Sequence, residues 1–177
     1  MQNIMLKGKH TMVKLEFATE KDANQCYAII DMGRRFQKEQ GFTQWTDDYP
    51  NFDTVCDDIR NKKGYVVKVD GVIAGYMCID FDGEPAYNDI DGKWSIEAEY
   101  AVVHRMAFAK QFCGIGLSDT VWSLIEELCK TKNVNYIRVD TDFPNKRMQH
   151  ILNKNGFKCC GVILFQGSGK IAFDKVF

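Results

Sequence analysis

The sequence predicts a mixed α/β fold of about six to seven strands and about four helices, and three observations carry that prediction. Two apolar runs, 64–69 and 72–79, are joined by Asp70-Gly71, the residue pair that a two-residue hairpin turn favours. Leu117, Val121, Leu124, Ile125 and Leu128 recur at i, i+4, i+7, i+8 and i+11, the spacing of one buried helical stripe. Strand-like and helix-like segments then alternate to the end of the sequence, as they do where helices pack on a sheet.

Each element follows from its residues. Val13-Lys-Leu-Glu-Phe17 alternates apolar and polar positions as a half-buried strand does. Thr19 with Asp22 three residues later forms a helix start, and Cys26, Ile29, Ile30 and Met32 supply an apolar face up to about Gly41. After the turn signal Tyr49-Pro-Asn51, a short helix is expected over 52–61, followed by the hairpin. Residues 81–94, rich in Asp, Gly, Asn and Pro, read as a loop. The strand 100–108 leads through Cys113-Gly-Ile-Gly-Leu-Ser118 into the long helix. A strand over 136–140, a helix from about Pro144 to Asn155 stopped by Gly156, and strands near 157–165 and 171–176 complete the series.

With 177 residues, 45% of them apolar and 27% charged, the chain has enough material for one domain, expected over residues 12–177 with 1–11 as an N-terminal extension. The formal net charge of -1 argues against a nucleic-acid binder, whose phosphate recognition calls for a basic face. Seven cysteines without a paired CxxC pattern suit reduced thiols, and His10, His104 and His150 have no metal-ligand spacing, so no metal site is expected. The first residues are too weakly apolar for a signal peptide, and no run reaches the length of a membrane span. A cytoplasmic protein without membrane or nucleic-acid partners, a monomer or homodimer, is expected.

The stretch richest in chemistry is the strand ending at Phe108, the loop with Gly114 and Gly116, and the helix beyond it. Amides of a first helical turn have no internal acceptor, the helix dipole favours an anion there, and glycine lets a phosphate approach the backbone. A tight strand-to-helix connection would use the same residues. GxGxxG and the Gly-Lys-Ser/Thr of a P-loop are both absent.

Val103-His-Arg-Met-Ala-Phe108, followed after five residues by Gly114-Ile-Gly-Leu-Ser-Asp119, resembles motif A of the GCN5-related N-acetyltransferases (GNAT). The family's loop reads Arg/Gln-x-x-Gly-x-Gly/Ala; Cys113 stands at the Arg/Gln position, Gly116 at the central glycine and Ser118 at the last small residue. Asp142-Phe-Pro-Asn145, Met148, Ile151-Leu152 and Lys154-Asn-Gly-Phe157 resemble motif B, and the resemblance spans roughly Val13 to Phe177.

The resemblance implies a centrally splayed sheet with acetyl-coenzyme A (acetyl-CoA) as cofactor, its pantetheine arm between strands 100–108 and 136–140. It implies pairing of that arm with the segment Met106, Ala107 and Phe108 through main-chain groups. The pyrophosphate would rest on the loop of Cys113, Gly114, Ile115, Gly116, Leu117 and Ser118, with Asn145 near the pantetheine and Lys154 near the adenosine phosphate. A lysine at a helix C-terminus also serves as a solvated dipole partner.

Attack of an amine on a thioester requires a proton acceptor within reach, since an amine with a pKa of about 10 is mostly protonated at neutral pH. His104 is the candidate catalytic base, with a core histidine as its structural alternative; Glu84, Glu97 and Glu99 are possible relays. The tyrosine that protonates the departing thiolate in this family is replaced by Leu152. For the acceptor, a small-molecule or peptide amine, Trp45, Glu84, Tyr87 and Trp94 are the candidate binding residues, and the aromatic ones would equally cap a core. Two other classes of function fit the residues: a catalytically silent acetyl-CoA sensor, and a redox-responsive protein using Cys113.

Overall fold

The computed structural model describes residues 1–6, 9–165 and 167–177, with the backbone alone for residues 3–6 and 9. Among them are nine strands: β1 (Gln2–Leu6), β2 (Lys9–Phe17), β3 (Gly64–Val69), β4 (Val72–Asp80), β5 (Ile90–Gly92), β6 (Ala101–Phe108), β7 (Tyr136–Thr141), β8 (Lys158–Phe165) and β9 (Ser168–Val176). The helices are α1 (Ala23–Glu39), α2 (Phe52–Arg60), α3 (Leu117–Thr131) and α4 (Lys146–Lys154). The hydrogen-bonded strand order is β1-β2-β3-β4-β6-β7-β9-β8-β5. The class is the mixed α/β one expected, with four α-helices. The strand count is higher by two, because β1 lies in the stretch read as an extension and β5 in the stretch read as a loop.

The chain divides into two compact units, Met1–Ile79 with Arg105–Ile125, and Asp80–His104 with Glu126–Phe177. In the first unit, β1 to β4 form an antiparallel meander. The predicted turn joins β3 to β4: Asp70 at φ +48° and Gly71 at φ +84° put both central residues in the left-handed region, which matches the twist of the strands it joins. The helix start at Thr19 is also as expected, with the Thr19 amide donating to Asp22 at 2.8 Å across a 3₁₀ turn that leads into α1. Cys26, Ile29 and Ile30 of α1 share the core with Val55, Val66, Tyr76 and Ala107. Gly33 lies inside α1 because a Cβ there would come within 2.7 Å of Trp45 Cζ3; the indole takes the space a side chain would fill.

In the second unit, β7 pairs antiparallel with β9, β9 with β8, and β8 with β5. Gly92 and Gly161 face each other so closely that a Cβ on either would meet the opposing backbone oxygen at 2.1 or 2.2 Å. That close approach lets a three-residue strand pair within a segment of turn-forming composition. The first residues of β6 pair in parallel with β7, Ala101 with Ile137 and Val102 with Arg138. Tyr87, Trp94, Val102, Ile163 and Ala172 form the core beside this pairing. The α4 helix is capped by Asn145, which accepts from the Met148 amide at 3.2 Å, and ends before Gly156 at φ +82°. Among the described residues, no helix is long and apolar enough to cross a membrane.

Candidate active site

In the first unit, β6 ends at Phe108 and a 3₁₀ turn, Lys110–Phe112, carries the chain to Cys113. Gly114 and Gly116 follow at φ +73° and +81°, and a Cβ on either would have nothing within 4 Å. Their glycine identity therefore answers to backbone conformation, not to packing. Leu117 is the first residue of α3 and is buried, so the helix is anchored at its start while both glycines remain exposed. Chemically, this arrangement offers first-turn amides beside backbone free of side-chain obstruction. The Cys113 thiol turns back toward the Phe108 and Ala109 carbonyl oxygens, at 3.8 and 3.7 Å.

The segment just upstream contains a feature with no sequence signal. Arg105, in the middle of β6, has φ +57°, a left-handed conformation that costs a residue with a Cβ about 1–2 kcal/mol. Its guanidinium donates to Asp58 of α2 from Nε (3.0 Å) and Nη2 (2.7 Å), and from Nη1 to the Tyr49 hydroxyl (2.7 Å). Asp58 also accepts from the Tyr76 hydroxyl at 2.7 Å. Neither Arg105 nor Asp58 was legible as a site residue, since a single basic residue in a strand usually faces solvent.

In the second unit, His104 is mostly buried, with Nε2 3.5 Å from Glu84 Oε2 and its ring stacked on Phe165 at 5.9 Å. The other Glu84 oxygen accepts from the Ala86 amide at 3.1 Å, which fixes the carboxylate at the start of a 3₁₀ turn, Pro85–Asn88. That turn supplies Tyr87, whose hydroxyl donates to Asp140 of β7 at 2.7 Å. Burial, and then the Asp140 charge, raise the Tyr87 phenol well above its usual pKa, so it keeps its proton as donor. Burial likewise pushes the Asp140 carboxyl upward, against the pull of His104, the Tyr87 hydroxyl and Lys170. Asp140 was not singled out in the sequence; an acid among Ile137, Val139 and other strand residues was the available signal. Of the three glutamates considered as relays, Glu84 meets His104, whereas Glu97 and Glu99 are exposed.

The aromatic candidates for the acceptor lie inside packed clusters. Trp45 is 9% exposed and sits over Gly33, with its amide donating to Gln37. Tyr87 and Trp94 are 1% and 5% exposed. Trp94 donates to the Tyr87 carbonyl at 2.9 Å and, with Tyr100 and Tyr136, surrounds the Arg138 guanidinium at 4.2 to 5.0 Å. On α4, Asn145 serves as the cap and Lys154 is exposed in the last turn. Leu152, at the family's tyrosine position, is 1% exposed and belongs to the core.

Comparison with known proteins gives consistent findings. Residues 24–157 match the family model described as "Acetyltransferase (GNAT) family". The fold is similar to that of a GNAT-family acetyltransferase from Streptococcus agalactiae 2603, with a TM-score of 0.84, 31% identity and 99% of each chain covered. A GNAT-family acetyltransferase from Listeria monocytogenes 4b F2365 is similar at a TM-score of 0.74 and 24% identity, over 99% of this chain and 100% of that one. The aminoglycoside acetyltransferase AAC(6′)-Ib, solved with coenzyme A and kanamycin, shares the fold at a TM-score of 0.68 and 19% identity, over 93% and 95% of the chains. No curated protein matches this sequence.

Proposed function

Because the chain belongs to the GNAT acetyltransferase family, we propose that it transfers an acetyl group from acetyl-CoA to a primary amine of a small molecule or peptide. The observation that carries this reading is the loop 113–118, where two left-handed glycines, with nothing beyond their chain neighbours within 4 Å of where a Cβ would stand, open the way to the first turn of α3. The pyrophosphate is assigned to the amides there, the pantetheine to main-chain groups of Met106, Ala107 and Phe108, and the adenosine side to Lys154. Fold relatives solved with coenzyme A or acetyl-CoA support the choice of cofactor. The relative solved with kanamycin supports a small-molecule amine as acceptor.

The residues of the second unit suit the proton transfer. His104 takes the proton as the amine nitrogen bonds to the acyl carbon and the carbon–sulfur bond breaks, its electron pair leaving with sulfur. Glu84 lies beside the ring, with Oε2 3.5 Å from Nε2. With Leu152 in place of the tyrosine, the thiolate leaves unassisted by that residue and is protonated from solvent, which a thiol of pKa about 8.5 tolerates. Leu152 also favours the second reading, an acetyl-CoA sensor without turnover. Thiol release from acetyl-CoA over a panel of small amines, amino acids and peptides separates the two: release with any acceptor supports the enzyme, and binding without release on the whole panel supports the sensor.

A further inference from the structure

We infer that Asp58 and Arg105 are positioning residues that lock the middle of β6 in a left-handed conformation and so aim the main chain of Met106 to Phe108 at the acyl donor. The inference rests on the proposed function for the assignment of that segment to pantetheine. Its own support is the geometry. A strand needs no left-handed residue, and glycine would adopt that conformation without strain; the chain instead places an arginine there and holds it by three hydrogen bonds. Both oxygens of the Asp58 carboxylate are engaged by the planar guanidinium, a fork that fixes orientation as well as charge. The anchor is itself held: Asp58 lies in α2, whose Asn51 cap accepts from the Thr54 amide at 2.9 Å, and the Tyr76 hydroxyl of β4 donates to the same carboxylate. Burial and the Asp58 charge raise the Tyr76 phenol, which keeps it a donor.

The left-handed residue Arg105 immediately precedes Met106. Downstream, β6 is pinned again by the Ala109 amide on the Ala74 carbonyl at 2.9 Å, and Gly75 leaves room for the Phe108 ring, which a Cβ would meet at 2.6 Å. The segment from Met106 to Phe108 thus lies between two fixed points, and the upstream one is the guanidinium fork.

The test compares Arg105→Ala with Arg105→Gly, alongside Asp58→Asn, by calorimetric titration with acetyl-CoA and by thermal unfolding. Both Arg105 variants lose every side-chain contact, so a purely structural role predicts that they fall together. The positioning role predicts that they separate: Arg105→Ala relaxes toward an ordinary strand and loses acetyl-CoA affinity by about 10-fold or more, while Arg105→Gly, free to adopt the left-handed backbone though no longer locked in it, loses distinctly less. Asp58→Asn, which keeps one acceptor oxygen and loses the charge, should weaken binding while the chain remains folded, and it carries the test alone if both Arg105 variants fail to fold. Native affinity in Arg105→Ala or in folded Asp58→Asn, or equal loss in the alanine and glycine variants, overturns the inference. Absence of acetyl-CoA binding by the native chain overturns the functional reading on which it rests, and the positioning role with it.

Discussion

His104 and Glu84 are joined by a 3.5 Å contact inside one compact unit. If His104 accepts the amine proton, His104→Gln should lower kcat by about 10²- to 10⁴-fold and leave the Kd for acetyl-CoA near native. Steady-state kinetics with any productive amine, beside calorimetry, decides this, and undiminished kcat would return His104 to a structural role. Leu152 calls for a different experiment. Because it is fully buried, Leu152→Tyr brings extra volume and a hydroxyl into the core and should cost about 1–3 kcal/mol, whereas Leu152→Met conserves volume and should cost less than about 1.5. Thermal unfolding of the two variants would show that order; a tyrosine variant as stable as the native chain would mean that the site has room for the family's acid. Cys26 and Cys129 are buried thiols whose pKa burial pushes up to about 12, which makes both poor nucleophiles.

At the scale of elements, the loop before α3 and the β5–β8 pairing use glycine for opposite reasons. Gly116→Ala puts a Cβ into open space but forces a left-handed alanine, so the expected loss is about 1–2 kcal/mol of stability together with weaker acetyl-CoA binding. Gly116→Val adds bulk at the amides assigned to the pyrophosphate and should weaken binding further. Calorimetry showing native affinity in both variants would remove the main support for that site. Gly92→Ala, by contrast, meets the Cys160 carbonyl oxygen at 2.1 Å and cannot be relieved by a rotamer change. It should detach β5 from β8, measurable as lost hydrogen-exchange protection around Ile90–Gly92 without a change in acetyl-CoA affinity.

At the scale of the molecule, stability should depend on pH through Asp174. Burial works to raise its pKa, but hydrogen bonds from the Tyr136 hydroxyl, the Ser95 amide and hydroxyl, and Cys160 outweigh it, and the net shift is downward. A carboxylate with a lowered folded-state pKa stabilises the fold above its unfolded value of about 3.9 and loses that contribution as pH falls through the folded value. Thermal unfolding followed downward from pH 6 should therefore show a shallower acid-side decline in Asp174→Asn than in the native chain; identical declines would assign the acid sensitivity to other groups. Ligand linkage provides a second whole-molecule measurement. Acetyl-CoA at 100 times its Kd should add about 2.7 kcal/mol to the stability of the native chain.

Local pattern was enough for much of this protein. The Asp70-Gly71 turn, the Thr19–Asp22 helix start, the α3 stripe and the Gly156 stop are all set by residues a few positions apart, whose conformational preferences act over that same range. The loop 113–118 belongs with them, because the left-handed glycines and the helix start that shape it are consecutive residues. Tertiary structure alone decided the rest. Arg105 and Asp58 are separated by 47 positions, and nothing local in either announces a left-handed strand residue. Tyr87 and Asp140 are 53 apart, and Tyr87 and Trp94 share one buried cluster with residues as distant as Ile163 and Ala172. The short β5 exists because Gly92 and Gly161 let two backbones approach, a property of the pair that neither segment has by itself. Periodicity records which face of an element is buried; the partner that buries it, and hence the placement of a charge or a proton, is fixed only when distant segments pack.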